Sequence, residues 1–250
     1  MIRVEKEPGI YVEQKKSKII SVLFSYILLL GLLSFIIFGV SLTIICEKHY
    51  LHGLFQFTDP WDIAWILFCA GVVCLTGFII GVLFYNSSNP IYLIVYCVCL
   101  VLAMVLLIAT LWTSAVFYQK FPSRLHDDFL RVIHTYRVPR FGSSRRVVDD
   151  IQTSLQCCGL NNHTDWLSTA FYLTINQWPD SCCLFRFKQV YCGDVFSLIY
   201  QYKGCSEELY NDVKTVTRAL IGTSAAGAII VLLGWFLLIA LFNKSKKKIF

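Results

Sequence analysis

The sequence predicts an all-α membrane protein: a four-helix transmembrane bundle carrying a small helical, disulfide-bonded extracellular domain. Three observations predict it. Hydrophobic side chains make up 56% of the 250 residues and the mean hydropathy is +0.61, too apolar for water to be the only solvent. Four apolar runs, residues 19–45, 61–85, 91–117 and 219–242, each reach the roughly 20 helical residues needed to cross a hydrocarbon core. Between the last two runs lies a polar stretch holding Cys157, Cys158, Cys182, Cys183, Cys192 and Cys205.

The chain begins with residues 1–18, which hold Arg3, Lys6, Lys15, Lys16 and Lys18. This excess of positive charge beside the first run predicts a cytosolic N-terminal tail. The first span, 19–45, is too long for a cleaved leader and is followed by Cys46-Glu47-Lys48-His49 instead of a small-residue cleavage site. Residues 46–60 then form a small extracellular loop, the second span covers 61–85, and a short cytosolic turn at 86–90, Asn-Ser-Ser-Asn-Pro, makes the second and third spans antiparallel neighbours. The third span covers 91–117, the large extracellular loop 118–218, the fourth span 219–242 and a cytosolic C-terminal tail 243–250 with Lys244, Lys246, Lys247 and Lys248. Asp62, at the rim of the second span, is the one charge inside these runs. Trp61, Trp65, Trp112 and Tyr118 fall at the outer ends and Tyr85 and Tyr92 at the inner ends, where amphipathic rings prefer the headgroup level.

The net charge of +6 sits mostly in the two tails. Lysines there face an anionic inner leaflet, so the basic balance points to membrane lipids and not to nucleic acid. Small residues along the spans, Gly31, Gly39, Gly71, Gly77 and Gly81, then Gly222, Ala225, Ala226, Gly227 and Gly234, predict close backbone packing in lipid.

The large loop reads as a small helical domain. Phe121, Leu125, Phe129, Val132, Ile133 and Tyr136 recur at helical spacing, so the third span continues as an amphipathic stalk. Residues 138–144 break it, and Ser143 or Ser144 is expected to cap a second helix over 145–156. Ser206 is expected to cap the last helix, with Glu207 and Glu208 at its positive end. Gly159 is read as the left-handed residue that ends the second helix. Such a core is small, and each disulfide adds about 2–4 kcal/mol. Six cysteines allow fifteen connectivities, and removing bonds within the vicinal pairs still leaves most of them open. A zinc reading finds no histidine at matching spacing.

Asn162-His163-Thr164 is a glycosylation sequon within this loop, whereas the sequons at Asn86 and Asn243 fall on the cytosolic side. Partner recognition is placed in 184–203, where Phe185, Arg186, Phe187, Lys188, Tyr191, Phe196, Tyr200 and Tyr202 gather in an exposed stretch. Aromatics and arginine concentrate binding energy at interfaces. The plainer reading is that some of these rings pack on the stalk.

Four spans, a short first loop, a minimal inner loop and a second loop with Cys157-Cys158-Gly159, Pro179-Asp180-Ser181-Cys182-Cys183 and Gly204-Cys205 resemble the tetraspanin family over nearly the whole chain. The resemblance implies the pairs Cys157–Cys205, Cys158–Cys182 and Cys183–Cys192. It also implies a variable, partner-facing segment between the cysteines, with other membrane proteins, homo- or hetero-oligomers of tetraspanin type, and membrane lipids including sterol as partners. The usual Asn of the first span and Glu or Gln of the third and fourth are missing, leaving hydroxyls such as Ser25, Ser34, Thr110, Ser114, Thr223 and Ser224. Neither tail has a cysteine for palmitoylation. Cys97 and Cys99 are the nearest candidates, with Cys74 behind them, against the simpler role of small packing residues.

Catalysis is not expected. His163 near Asp165, and His126 beside Asp127 and Asp128, come with neither a nucleophile nor metal-ligand spacing, and no cofactor is implied. The expected role is a scaffold that binds, organises or escorts partner membrane proteins laterally, at the plasma or endosomal membrane. Lys247 and Lys248 match a dilysine pattern for endoplasmic reticulum retrieval, and a snorkelling anchor explains them equally. Two other roles stay open: a homo-oligomeric protein that shapes curved membrane, and a transporter or intramembrane lipid- or sterol-binding protein.

Overall fold

The computed structural model describes residues 8–55, 58–87, 89–137, 142–183 and 203–246. Among the described residues six α-helices follow in chain order: α1 (Pro8–Glu47), α2 (Pro60–Ser87), α3 (Pro90–His134), α4 (Gly142–Leu155), α5 (Ala170–Ile175) and α6 (Ser206–Lys246). Short 3-10 turns lie at His49–Leu51, His163–Ser168 and Asp180–Cys182. Helices α1, α2, α3 and α6 are long and apolar enough to cross a membrane. The chain forms two compact units, 1–39 with 67–109 and 223–250, and 40–66 with 110–222.

The first unit is a bundle closed by small residues. A methyl group added at Gly71 would stand 3.3 Å from the backbone nitrogen of Phe38, and one at Gly234 would run into the Tyr26 hydroxyl. Helices in lipid gain little from apolar burial, so such backbone approach is what lets them hold together. Ile27, Leu30, Ile37, Leu67, Leu100 and Leu107 fill the interior. Ser34 donates to the Gly31 carbonyl at 2.7 Å within its own helix, which satisfies the hydroxyl without a partner helix. Sequence reasoning overlooked two tyrosines as buried polar groups here. Tyr26 donates to the Ile230 carbonyl at 3.2 Å, and the buried Tyr96 hydroxyl lies beside that of Tyr26.

In the second unit α3 runs on past its apolar portion, as the periodicity predicts, and continues through Pro122. Proline there leaves the Tyr118 carbonyl without its usual amide donor. Phe121, Leu125, Phe129, Val132 and Ile133 form one buried face. Arg137, with φ of 58°, turns the chain out of the helix, and its guanidinium stands 5.0 Å from the Phe171 ring centroid.

Three expectations about helix ends need correcting. Helix α4 starts at Gly142, so Ser144 lies inside its first turn, where its oxygen accepts from the Thr135 hydroxyl at 2.9 Å. The left-handed residue that ends α4 is Gln156, φ 51°. The Cys157 amide then donates back to Gln152 at 3.2 Å, the six-to-one bond of a Schellman ending. Cys205, not Ser206, is the cap of α6, because its carbonyl accepts the Leu209 amide at 2.9 Å.

Candidate functional site

Cys157 and Cys158 follow the end of α4 and lie beside the residues that lead into α6. The Cys158 amide donates to Lys203 at 2.9 Å, and the amides of Cys205 and Ser206 donate to Gly159 and Leu160 at 3.0 and 2.9 Å. The structure bonds Cys157 to Cys205 and Cys158 to Cys182, each with Cα atoms 5.0 Å apart. Cys183 is also disulfide-bonded, and Cys192 lies outside the described residues.

Glycine is required where these two segments meet. Gly159 has φ of +71°, and a methyl there would sit 2.0 Å from the Asn162 carbonyl oxygen. At Gly204 the approach to the Asn161 carbonyl oxygen would be 2.1 Å. The turn itself is gathered by one carboxylate: Asp165 Oδ2 accepts from the amides of Leu160, Asn161 and Asn162 at 2.8, 2.7 and 3.3 Å. Asp165 and Asn162 form a reciprocal capping box around His163–Ser168. The carboxylate is thereby committed to the backbone. His126 meets Asp127 at 3.4 Å on an exposed surface.

Behind the turn, Trp166 is fully buried, with the Tyr136 ring 5.0 Å and the Phe171 ring 6.1 Å away. The Tyr136 hydroxyl donates to Asp149 at 2.9 Å, and Ser181 lies 2.8 Å from both Asp149 and Gln152. Burial, reinforced by the Asp149 charge, pushes the Tyr136 phenol well above its ordinary range. This network holds the Pro179–Cys183 motif against α4.

The short loop after α1 docks onto the same unit. Gly53 and Phe55 donate their amides to the two Asp59 carboxylate oxygens at 2.6 and 3.0 Å. Asp59 also precedes Pro60, the first residue of α2, and its carbonyl accepts from Ile63 at 3.1 Å. Burial raises the Asp59 carboxyl despite those amides. His52 Nδ1 lies 3.7 Å from Asp59 and 3.6 Å from Asp62; sequence reasoning missed this cluster. Arg131 reaches back to the Leu54 carbonyl at 3.2 Å.

Other expected site residues fall as follows. Asn162 is half-buried, with Oδ1 accepting from the Thr164 amide at 2.7 Å and from the Thr164 hydroxyl. Cys97 and Cys99 are half-buried on α3, and Cys99 Cβ would meet a methyl on Gly77 at 3.5 Å. Phe185, Arg186, Phe187, Lys188, Tyr191, Phe196, Tyr200 and Tyr202, together with Lys247 and Lys248, lie outside the described residues. Two signals for the missed groups were present in the sequence: Asp59-Pro60 has the cap-then-proline order of a helix start, and Asn162 with Asp165 has capping-box spacing.

A model of the Tetraspanin family matches residues 17–244. Tetraspanin-11 of Bos taurus is 27% identical over 146 residues, 56% of this chain and 57% of that protein. CD63 antigen of Homo sapiens is 27% identical over 162 residues, 63% of this chain and 66% of that protein. Tetraspanin-11 of Homo sapiens is 30% identical over 171 residues, covering 65% and 66%. In each case the chain spans less than two thirds of the relative's length.

Proposed function

Because the chain belongs to the tetraspanin family, we propose that it works as a non-catalytic membrane scaffold that binds and organises, or escorts, other membrane proteins laterally. It is a multi-pass membrane protein with four membrane-span-capable helices. Both tails are cytosolic in this reading, and 46–60 and 118–218 face the outside or the lumen, on the strength of the lysines and arginines flanking the spans. The plasma or endosomal membrane is the proposed location, with retrieval through Lys247 and Lys248 as a secondary route.

One observation carries the reading: the described residues on either side of 184–202 are anchored. Cys158–Cys182 fixes the residues before it, and Cys157–Cys205 with the Cys158–Lys203 backbone bond fixes those after it. A segment rich in aromatics between two anchored flanks loses less entropy on binding than a free loop. Proximity labelling combined with purification in mild detergent tests the proposal. A recurrent heterologous membrane protein, lost on Phe185→Ala with Phe187→Ala and Tyr191→Ala, is the expected result. Recovery of this chain alone would instead favour a homo-oligomeric structural role.

A further inference from the structure

We propose that a cavity between the short loop and the stalk portion of α3 binds the phosphocholine headgroup of an outer-leaflet lipid; its placement in that leaflet rests on the topology proposed above. The cavity encloses about 280 Å³ and is lined by Phe55, Phe117, Phe121, Lys120, Arg124 and Asp128, among others. Its size falls just below the roughly 300–1,000 Å³ of small-molecule sites, suited to a headgroup.

The lining has three chemical parts. Phe55 and Phe117 meet edge to face at 4.9 Å and 87°, and Phe117 stacks on Phe121 at 5.8 Å and 10°. All three rings are buried. Asp128 adds one buried carboxylate, 3.5 Å from Arg131. Lys120 and Arg124 are exposed. Aromatic faces with a carboxylate are what a quaternary ammonium seeks, and paired cations are what a phosphate seeks. A purely anionic headgroup would satisfy Lys120 and Arg124 but set a like charge near Asp128. A sterol carries no charge to meet any of the three.

Position agrees with the chemistry. Phe117 is the last residue of the apolar run on α3, and Lys120, Arg124 and Asp128 occupy the turns just beyond it. That is the level at which a headgroup lies when the acyl chains flank the apolar run.

The test uses the full chain in a maltoside detergent, which carries neither phosphate nor ammonium, mixed with equal amounts of dioleoyl phosphatidylcholine and dioleoyl phosphatidylglycerol. Native mass spectrometry should show phosphatidylcholine retained about fivefold over phosphatidylglycerol. Lys120→Glu with Arg124→Glu, both on the exposed rim, should reduce its retention by about fivefold or more. Asp128→Asn should move the preference toward phosphatidylglycerol, which a purely structural role for Asp128 would not do. Equal retention of the two lipids, or a wild-type ratio in every variant, overturns the headgroup site. Protease protection of sealed microsomes reads topology separately. A protected 118–218 segment supports the outer-leaflet source, and cleavage in a protein that still selects phosphatidylcholine overturns that source alone.

Discussion

Lys48 Nζ stands 2.7 Å from Asp212 Oδ1, while the buried Tyr50 donates its hydroxyl to the other oxygen of the same carboxylate. One acidic residue of α6 thus holds two residues of the short loop after α1. Burial is the main cause, and Asp212 the second, of a Tyr50 phenol pushed far above its ordinary range. Asp212→Leu leaves the Lys48 ammonium and the Tyr50 hydroxyl, 3.3 Å apart, only each other, at an expected cost of about 2–3 kcal/mol. Lys48→Met, losing a half-exposed partner, should cost about 1 kcal/mol or less. Thermal unfolding of the full chain in detergent orders the two, and equal shifts would refute the clamp.

The glycines at the cysteine turn separate close approach from mere smallness. Gly204→Ala and Gly159→Ala each drive a methyl into a carbonyl oxygen that has little room to yield, at 2.1 and 2.0 Å, so each should cost about 2–3 kcal/mol or more. Both should lower delivery to the cell surface. Gly222→Ala, with nothing within 4 Å of the added methyl, should be delivered normally. Normal delivery of all three would show that the turn tolerates widening.

Asn162 holds both a sequon and a cap, and the two roles can be divided. Asn162→Asp removes the glycan acceptor but keeps an oxygen to receive the Thr164 amide, so stability should change little. Asn162→Ala removes both and should lose a further ~1 kcal/mol. Enzymatic deglycosylation should collapse one band of the wild-type protein onto that of either variant. A wild-type band that does not move would remove glycosylation at this position.

Asp59 and Asp128 are both raised above the ordinary carboxylate value of 3.8, burial being the first cause for each. Between that value and their folded values the folded state holds more protons than the unfolded chain, so their contribution rises as pH falls through the window. Asp59→Asn should flatten this part of the stability profile while losing one of the two amide contacts from Gly53 and Phe55. Melting scans from neutral to mildly acidic pH, compared between wild type and variant, measure the difference. A larger pH slope in the variant would contradict the sign.

The cysteine motifs and apolar runs were readable because they depend on composition and spacing alone. The stalk was readable for the same reason: Phe121, Leu125, Phe129 and Val132 repeat with the period of a helix. Helix ends were less so. The serine at 144 and that at 206 are good caps by type, yet α4 already begins at Gly142 and the Cys205 carbonyl takes the first bond of α6, so both lie inside helices. Tyr26 and Tyr96 escaped notice as polar groups because an aromatic ring counts as apolar in any run of hydrophobic residues.

The sequence by itself determined the four spans, the helical stalk and the family, since the bilayer demands about 20 apolar residues per crossing and oxidised cysteines leave a recognisable spacing. Tertiary structure decided what the short loop does. Lys48 and Asp212 are 164 positions apart, and Arg131 meets Leu54 across 77. Ionic and hydrogen-bonded contacts at such separations have no local period to betray them. They form only once α3, α4 and α6 present their side chains to the loop, and the same packing shapes the cavity beside Phe117.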